Sequence, residues 1–277
     1  MDNELTGFVE DMSNADYHAS EGVSKSGLDL IDRSPAHYMA REFKSSTRAM
    51  TIGTAIHAAI LEPEMFKRDY FHTGCIDRVK KLYKHSKKIR GEEVSLTAPE
   101  SAKVRGMVKS IYNDAESAQI LSMDGKSELS AFAIDPETGI KIRCRYDRLT
   151  NSGISLDLKK TIDLRKFGRS CFDYRYHVQD AMYSHVYELV TGEKLQNFLF
   201  LAVEESAPHA CKVFELDEEA KEIGEYYYRK NLVQYAECLN RGDWPTNEIN
   251  SVIELPYFAA KQYEQDLNSD DLEGFIV

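Results

Sequence analysis

Residues 128–160 read ELSAFAIDPETGIKIRCRYDRLTNSGISLDLKK, and their period decides the fold. Glu128 to Asp135 alternates apolar and polar residues, and Pro136-Glu137-Thr138-Gly139 is a turn. Ile140 to Leu149 alternates again, with Ile140, Ile142, Cys144 and Tyr146 on one face. Asn151-Ser152-Gly153 makes a second turn before the strand Ile154 to Leu158. Two successive hairpins predict a three-stranded antiparallel meander. Asp147 falls near the end of the second strand and Asp157 near the end of the third, so pairing through the turn brings two carboxylates to one end of the sheet. Lys159 follows Asp157 by two residues and shares its face.

On either side the period becomes helical. Residues 24–41 (SKSGLDLIDRSPAHYMAR) read as a short helix entered at Ser24 or Ser26, stopped before Pro35 and followed by a second. Thr51 to Leu61 is apolar and Ala-rich, with Pro63 beyond it, as in a mostly buried helix. Residues 97–122 are helical again, with Thr97 as cap before Pro99 and Glu100. After the meander, 173–190 form a helix ending near Gly192. Gln196 to Glu204 and Ala210 to Leu216 form two more strands, and Glu218 to Asn240 a long amphipathic helix. The order predicts an α/β fold around a mixed sheet. A single domain over 1–277 is expected: a mainly helical part to 125, a sheet core over 126–217, then a C-terminal helix and acidic tail over 218–277.

Composition narrows the function classes. No apolar run approaches the roughly 20 residues that a membrane span needs. The N-terminus MDNELTGFVED is acidic and polar, unlike a secretory signal. Five cysteines (Cys75, Cys144, Cys171, Cys211, Cys238) are scattered with no C-x-x-C pair, which argues for reduced thiols and a cytoplasmic setting. The net charge of −11 is uneven: residues 201–277 hold 17 Asp and Glu against 6 Lys and Arg, and residues 1–200 hold 29 of each. A neutral body with local basic patches can still take phosphate. Residues 78–90 carry seven Lys/Arg and no acid, a DNA-gripping segment or a solvated helix face.

Two carboxylates and a lysine on adjacent strands suit hard cations such as Mg²⁺ or Mn²⁺ beside a phosphate. Read singly, Asp147 and Asp157 are more often turn residues, Lys159 a solvated lysine, Glu128 an exposed strand residue and His57 a packed core histidine. The acid one hairpin upstream of Asp157-Leu158-Lys159 favours a site. Arg143 and Arg145, alternating on the strand toward Asp147, either reach phosphate or face solvent.

The pattern Asp147…Asp157-Leu158-Lys159 resembles the PD-(D/E)-x-K motif of the restriction-endonuclease-like superfamily, although no proline precedes Asp147. Gly53-Thr54-Ala55-Ile56-His57 resembles the G-x-x-x-H helix of its RecB-type branch, Glu128 that branch's first-strand glutamate, and Gln179-Asp180-Ala181-Met182-Tyr183 its Q-x-x-x-Y helix. The opening Ser24-Lys25-Ser26-Gly27-Leu28 through Ser34-Pro35-Ala36-His37-Tyr38 is similar to the exonuclease VIII (RecE) nuclease-domain group. These matches run in the family's order from about residue 8 to 217.

The resemblance implies a restriction-endonuclease-like core with a central mixed sheet flanked by helices. It implies His57, Asp147, Asp157 and the Leu158 carbonyl as metal ligands, Lys159 as the residue that positions the attacking water, and Glu128 at the site edge. Gln179 and Tyr183 would contact substrate or buttress the lysine strand. The implied activity is a Mg²⁺-dependent exodeoxyribonuclease, with Mn²⁺ substituting. It would act on double-stranded DNA ends 5′ to 3′, leaving 3′ overhangs for a single-strand annealing partner in phage or prophage recombination, as a homo-oligomeric ring. An endonuclease or single-strand-specific nuclease on the same core, or a non-catalytic DNA-binding or assembly protein, are the alternatives. The cysteine count disfavours iron–sulfur relatives, and no Walker A motif occurs.

Overall fold

The computed structural model of the protein describes residues 5–41, 47–91, 94–247 and 252–268. The chain opens with strand β1 (Gly7–Val9) and helices α1 (Asn14–Ala19), α2 (Lys25–Arg33) and α3 (Pro35–Met39). Helices α4 (Arg48–Leu61) and α5 (Pro63–Asp69) follow, then β2 (Phe71–His72), α6 (Lys81–Arg90) and β3 (Ser95–Leu96). Next come α7 (Ala98–Asn113), α8 (Ala115–Ser122), and the meander β4 (Gly125–Ile134), β5 (Lys141–Thr150) and β6 (Ile154–Thr161). A crossover through α9 (Phe167–Asp173) and α10 (Tyr176–Thr191) leads to β7 (Asn197–Glu204), β8 (Cys211–Glu215) and α11 (Glu218–Arg241).

Six strands form one mixed sheet in the order β1-β4-β5-β6-β7-β8. Its ladders are antiparallel except β6–β7, which run parallel because α9 and α10 carry the chain across between them. The meander stands where its alternation placed it, and β7 and β8 fall within the two later stretches expected as strands. The first edge strand, β1, is a three-residue piece too short to show a period, and it pairs with β4 through Gly7–Phe132 to Val9–Ser130. The predicted helix over 97–122 divides at Asp114, whose extended backbone ends α7 and whose carboxylate accepts from Ser117 N at 2.9 Å to start α8. Thr97 and Glu100 form a capping box at the start of α7 (Thr97 N to Glu100 Oε2, 2.8 Å). Glu100 also receives Arg48 from the first turn of α4, which ties the two helices together.

Alternation on the parallel pair separates two cores. Leu156, Leu158, Leu201 and Val203 face α4 and α7 with Ile56, Ala59, Val104 and Met107. Phe198, Phe200 and Ala202 face the other way, onto Phe167 and Cys171 of α9. Next to that second layer, Ile142, Cys144 and Tyr146 pack on Val178, Met182 and Val186 of α10 and Tyr228 and Leu232 of α11. Burying each such side chain stabilises by roughly 1.5–3 kcal/mol. Gly224 lets α11 approach α10: a Cβ there would lie 2.2 Å from the His177 carbonyl oxygen.

Contacts divide the chain into Met1–Pro245, which holds the sheet, and Thr246–Val277, whose described residues include α12 (Tyr257–Asn268). Among the described residues no helix is long and apolar enough to cross a membrane, and the five cysteines are free thiols.

Candidate active site

The site grows from a defect in the meander. The β4–β5 ladder pairs Ser127 with Arg148 and Leu129 with Tyr146, which sets Glu128 opposite Asp147, yet no pairing joins those two. Glu128 has φ +51°, a left-handed backbone rare for a residue with a Cβ. Alternation slips here as well, since Tyr146 and Leu149, three apart, join the same core cluster. Such strain persists where surrounding structure over-determines it, and it concentrates at functional sites. The β5–β6 ladder is as brief: only Arg148–Leu156 and Leu149–Ser155 pair, and beyond them the strands part. The Asp147 carboxylate then takes the place of a ladder acceptor, receiving Leu158 N at 2.8 Å. Asp147 therefore stands near the end of β5, which closes at Thr150, as alternation suggested, whereas Asp157 stands within β6, which runs on to Thr161.

Helix α4 brings its imidazole into this gap, with His57 Nδ1 3.3 Å from Asp147 Oδ2. One turn earlier, a Cβ at Gly53 would meet nothing within 4 Å, so that side of the helix is open beside the histidine. Ligand atoms of His57, Glu128 and Asp147 all lie within 4.8 Å of one another. Across the gap, Lys159 Nζ lies 2.5 Å from Asp157 Oδ1 and donates to Gln179 Oε1 at 3.0 Å. Gln179 Nε2 in turn donates to Asp157 Oδ2 at 2.5 Å. Helix α10 thus closes a three-residue ring that holds the Asp157 and Lys159 side chains in one geometry, and the Tyr176 ring carries Lys159 Nζ 4.5 Å from its centroid.

Electrostatics distinguish the two halves. Burial, and then the Asp147 charge, push the Glu128 carboxyl up to about 8 against the opposing pull of Arg145. Burial and the Asp157 charge also raise Asp147, with His57 acting the other way. Burial pulls the Lys159 ammonium down, but Asp157, Asp147 and Tyr176 outweigh it, and the net displacement is upward. Lys159 is therefore held as a cation, a donor rather than a base.

A divalent cation fits these residues. The carboxylate oxygens of Glu128 and Asp147 with the His57 imidazole nitrogen are a donor set that divalent cations accept. Buried like-charged carboxylates resist ionising until a cation offsets them. Asp157 Oδ1 is buried with the Lys159 ammonium as its ionic partner, and a carboxylate oxygen so paired keeps a second lone pair.

Residues 24–254 match the family described as a PDDEXK-like domain of unknown function (DUF3799). The chain belongs to this PDDEXK-like family. Its structure is also similar to a crystal structure from Eubacterium rectale described as a "putative exonuclease", with a TM-score of 0.64 at 15% identity, covering 95% of this chain and 100% of that one. That likeness is one of fold, and the fold is restriction-endonuclease-like. No curated protein matches the sequence. PDDEXK nucleases are generally divalent-metal dependent, in keeping with the ligand cluster.

Within this PDDEXK-like domain the structure brings together His57, Glu128, Asp147, Asp157, Leu158, Lys159 and Gln179. It places the remaining candidates elsewhere. Arg143 donates to the carbonyls of Tyr17 and His18, and Arg145 to Met12 O, Ser130 Oγ and Asn14 Oδ1. Both guanidiniums fasten the N-terminal segment to the sheet, and Arg145 also lies 3.9 Å from Glu128. Tyr183 packs its ring edge-to-face on Tyr146 and Phe198, and its carbonyl accepts Tyr146 Oη at 2.7 Å, a buttress behind the strand. Residues 81–90 of the basic segment form α6, exposed except at Tyr83 and Ser86. Tyr176 was not foreseen, although it precedes Gln179 by one helical turn, a spacing that puts both on one face.

Proposed function

We propose that this chain is a divalent-metal-dependent deoxyribonuclease that works as an exonuclease on double-stranded DNA ends. The carrying observation is the His57–Glu128–Asp147 cluster facing the Asp157–Lys159–Gln179 ring across the parted strands. A cation held by His57, Asp147, Asp157 and the Leu158 carbonyl would supply Lewis-acid polarisation and offset the charge gathering on the scissile phosphate. Glu128 lies at the edge of that ligand set. The chain's own residues do the positioning. Lys159, kept as an ammonium, donates to the attacking water or a non-bridging phosphate oxygen. Gln179 fixes both Lys159 and Asp157, so neither needs to reorganise when substrate arrives. In the hydrolysis a new P–O bond forms from water, the P–O3′ bond breaks, and the leaving 3′ oxygen takes up a proton.

The finer reading rests on resemblance to the exonuclease VIII group. Under it, digestion runs 5′ to 3′ and leaves 3′ overhangs for a single-strand annealing protein in recombination, with Mg²⁺ as cofactor and a ring-shaped homo-oligomer enclosing the DNA. The test is digestion of end-labelled linear duplex and of covalently closed circles in Mg²⁺. Wild type should degrade the linear form, release the 5′ label first and spare the circle. Asp157→Ala and Lys159→Ala should each lose at least about 10²–10³-fold in rate. Cleavage of the circle would establish an endonuclease, 3′ label released first would reverse the polarity, and undiminished activity in both variants would remove the site assignment.

A further inference from the structure

We infer that the groove between the end of β6 and α9 is a binding track for single-stranded DNA, leading to Lys159; this rests on the nuclease reading above. The groove has a volume of about 820 Å³ and is lined by Lys160, Arg165, Lys166 and Arg169, against the acids Asp163 and Glu204. Counting Glu205, the partner of Lys160, and Asp173, the partner of Arg169, cations and acids balance here, so the groups that can take an anion are the solvent-exposed Arg165 and Arg169. Arg165 and Arg169 are 90% and 77% exposed, and their pairs with Asp163 and Asp173 are open to water. Exposed pairs of this kind are worth roughly 0–1 kcal/mol, so a phosphate can displace either carboxylate.

Aromatic rings set the class of nucleic acid. Tyr174 is 63% exposed and its ring stacks on Tyr176 at 5.8 Å and 27°. Tyr176 stacks on Phe200 behind it and carries the Lys159 ammonium on its face. The three rings form a ladder with a rigid inner end at the catalytic lysine and an open outer rung in the groove. The outer rung is pinned through its backbone, because Lys25 Nζ donates to the Tyr174 carbonyl at 2.6 Å. A duplex hides the faces of its bases and would use only the cations. An exposed, anchored ring serves a base that has left the stack, so the occupant is a single strand with phosphates on the cations and a base on Tyr174.

The experiment is fluorescence anisotropy with a short 5′-labelled oligothymidylate and with a blunt hairpin duplex, in Ca²⁺ to hold back cleavage. Tyr174→Ala should weaken oligothymidylate binding about fivefold or more. Duplex affinity should stay within about twofold, and Tyr174→Phe should retain single-strand binding, since the stacking face is kept. The double variant Arg165→Ala/Arg169→Ala should lower the slope of log affinity against log salt by about 1.4 on the single strand. Unchanged oligothymidylate binding in Tyr174→Ala, or equal losses on both ligands, would overturn the proposal. Digestion by the wild type in Mg²⁺, run alongside, separates the two readings: a protein that binds as expected but cuts nothing defeats the nuclease assignment alone.

Discussion

The β4–β5 hairpin carries a buried carboxylate centre at each end, and the two are solved in opposite ways. At the turn end, Asp135 is fully buried, and its oxygens accept from Arg229 NH1 (2.7 Å), Thr138 N (2.9 Å) and Thr138 Oγ1 (2.5 Å). Burial pushes its pKa up, but these donors outweigh it and hold the carboxyl below its ordinary value. At the far end, Glu128 and Asp147 face each other across an unpaired rung; burial raises both, helped by the Asp147 charge at Glu128 and by the Asp157 charge at Asp147. One centre carries its compensating cation within the chain. The other has His57 beside Asp147, Lys159 acting on Asp147 from β6 and Arg145 3.9 Å from Glu128, and these leave both carboxyls raised. Under the proposed metal-dependent reading, a structural carboxylate and a ligand-binding one differ in who supplies the positive charge.

Removing the structural carboxylate should have the largest effect on folding. Asp135→Ala strips both Thr138 donors of their acceptor and leaves Arg229 only Glu137, and losing one partner of a buried pair costs about 3–5 kcal/mol. Chemical denaturation measures this directly. A loss below about 1 kcal/mol would erase the contrast between the two ends.

At the other end the sign should reverse. Asp147→Asn removes a charge that the metal-free fold disfavours, so the variant should match or exceed wild type in stability without metal. Mg²⁺ at about a hundredfold its dissociation constant should stabilise wild type by about 2.7 kcal/mol and the variant by far less. Thermal melts with and without Mg²⁺ read both effects independently of any nuclease assay. If Asp147→Asn is as damaging as Asp135→Ala, Asp147 is a structural residue.

These two centres also show what was legible in the sequence. Alternation over 128–158 gave the meander, and the spacing of Asp147, Asp157 and Lys159 put these three side chains near one another, because period-2 geometry is local and leaves a residue-level trace. The slip at Glu128 and Asp147 left no such trace, since a left-handed backbone at a glutamate is imposed by its surroundings. Arg143 and Arg145 look alike from the sequence whether they face phosphate or backbone, and the carbonyls that claim them lie more than 100 residues away. Gln179 was found through the resemblance, but its bridging of Asp157 and Lys159 depends on the crossover that lays α10 against β6.

A third carboxylate sharpens the comparison. Asp180, next to Gln179 but turned to the other side of α10, is 5% exposed; Ser184 Oγ donates to one oxygen at 3.0 Å and the other has no hydrogen-bond partner. Burial outweighs that bond and raises its pKa from 3.8 to about 6. The folded state therefore holds the Asp180 proton more tightly than the unfolded state. Stability from this group is intact below pH 3.8 and is lost as pH rises to about 6 and beyond. Asp180→Asn escapes that loss, so it should be more stable than wild type by about 1–2 kcal/mol at neutral pH, with the gap closing toward pH 4. Denaturation midpoints compared across that range provide the measurement. A gap that does not change with pH would mean that the unpartnered oxygen is compensated in solution, which would leave Glu128 and Asp147 as the chain's uncompensated centre.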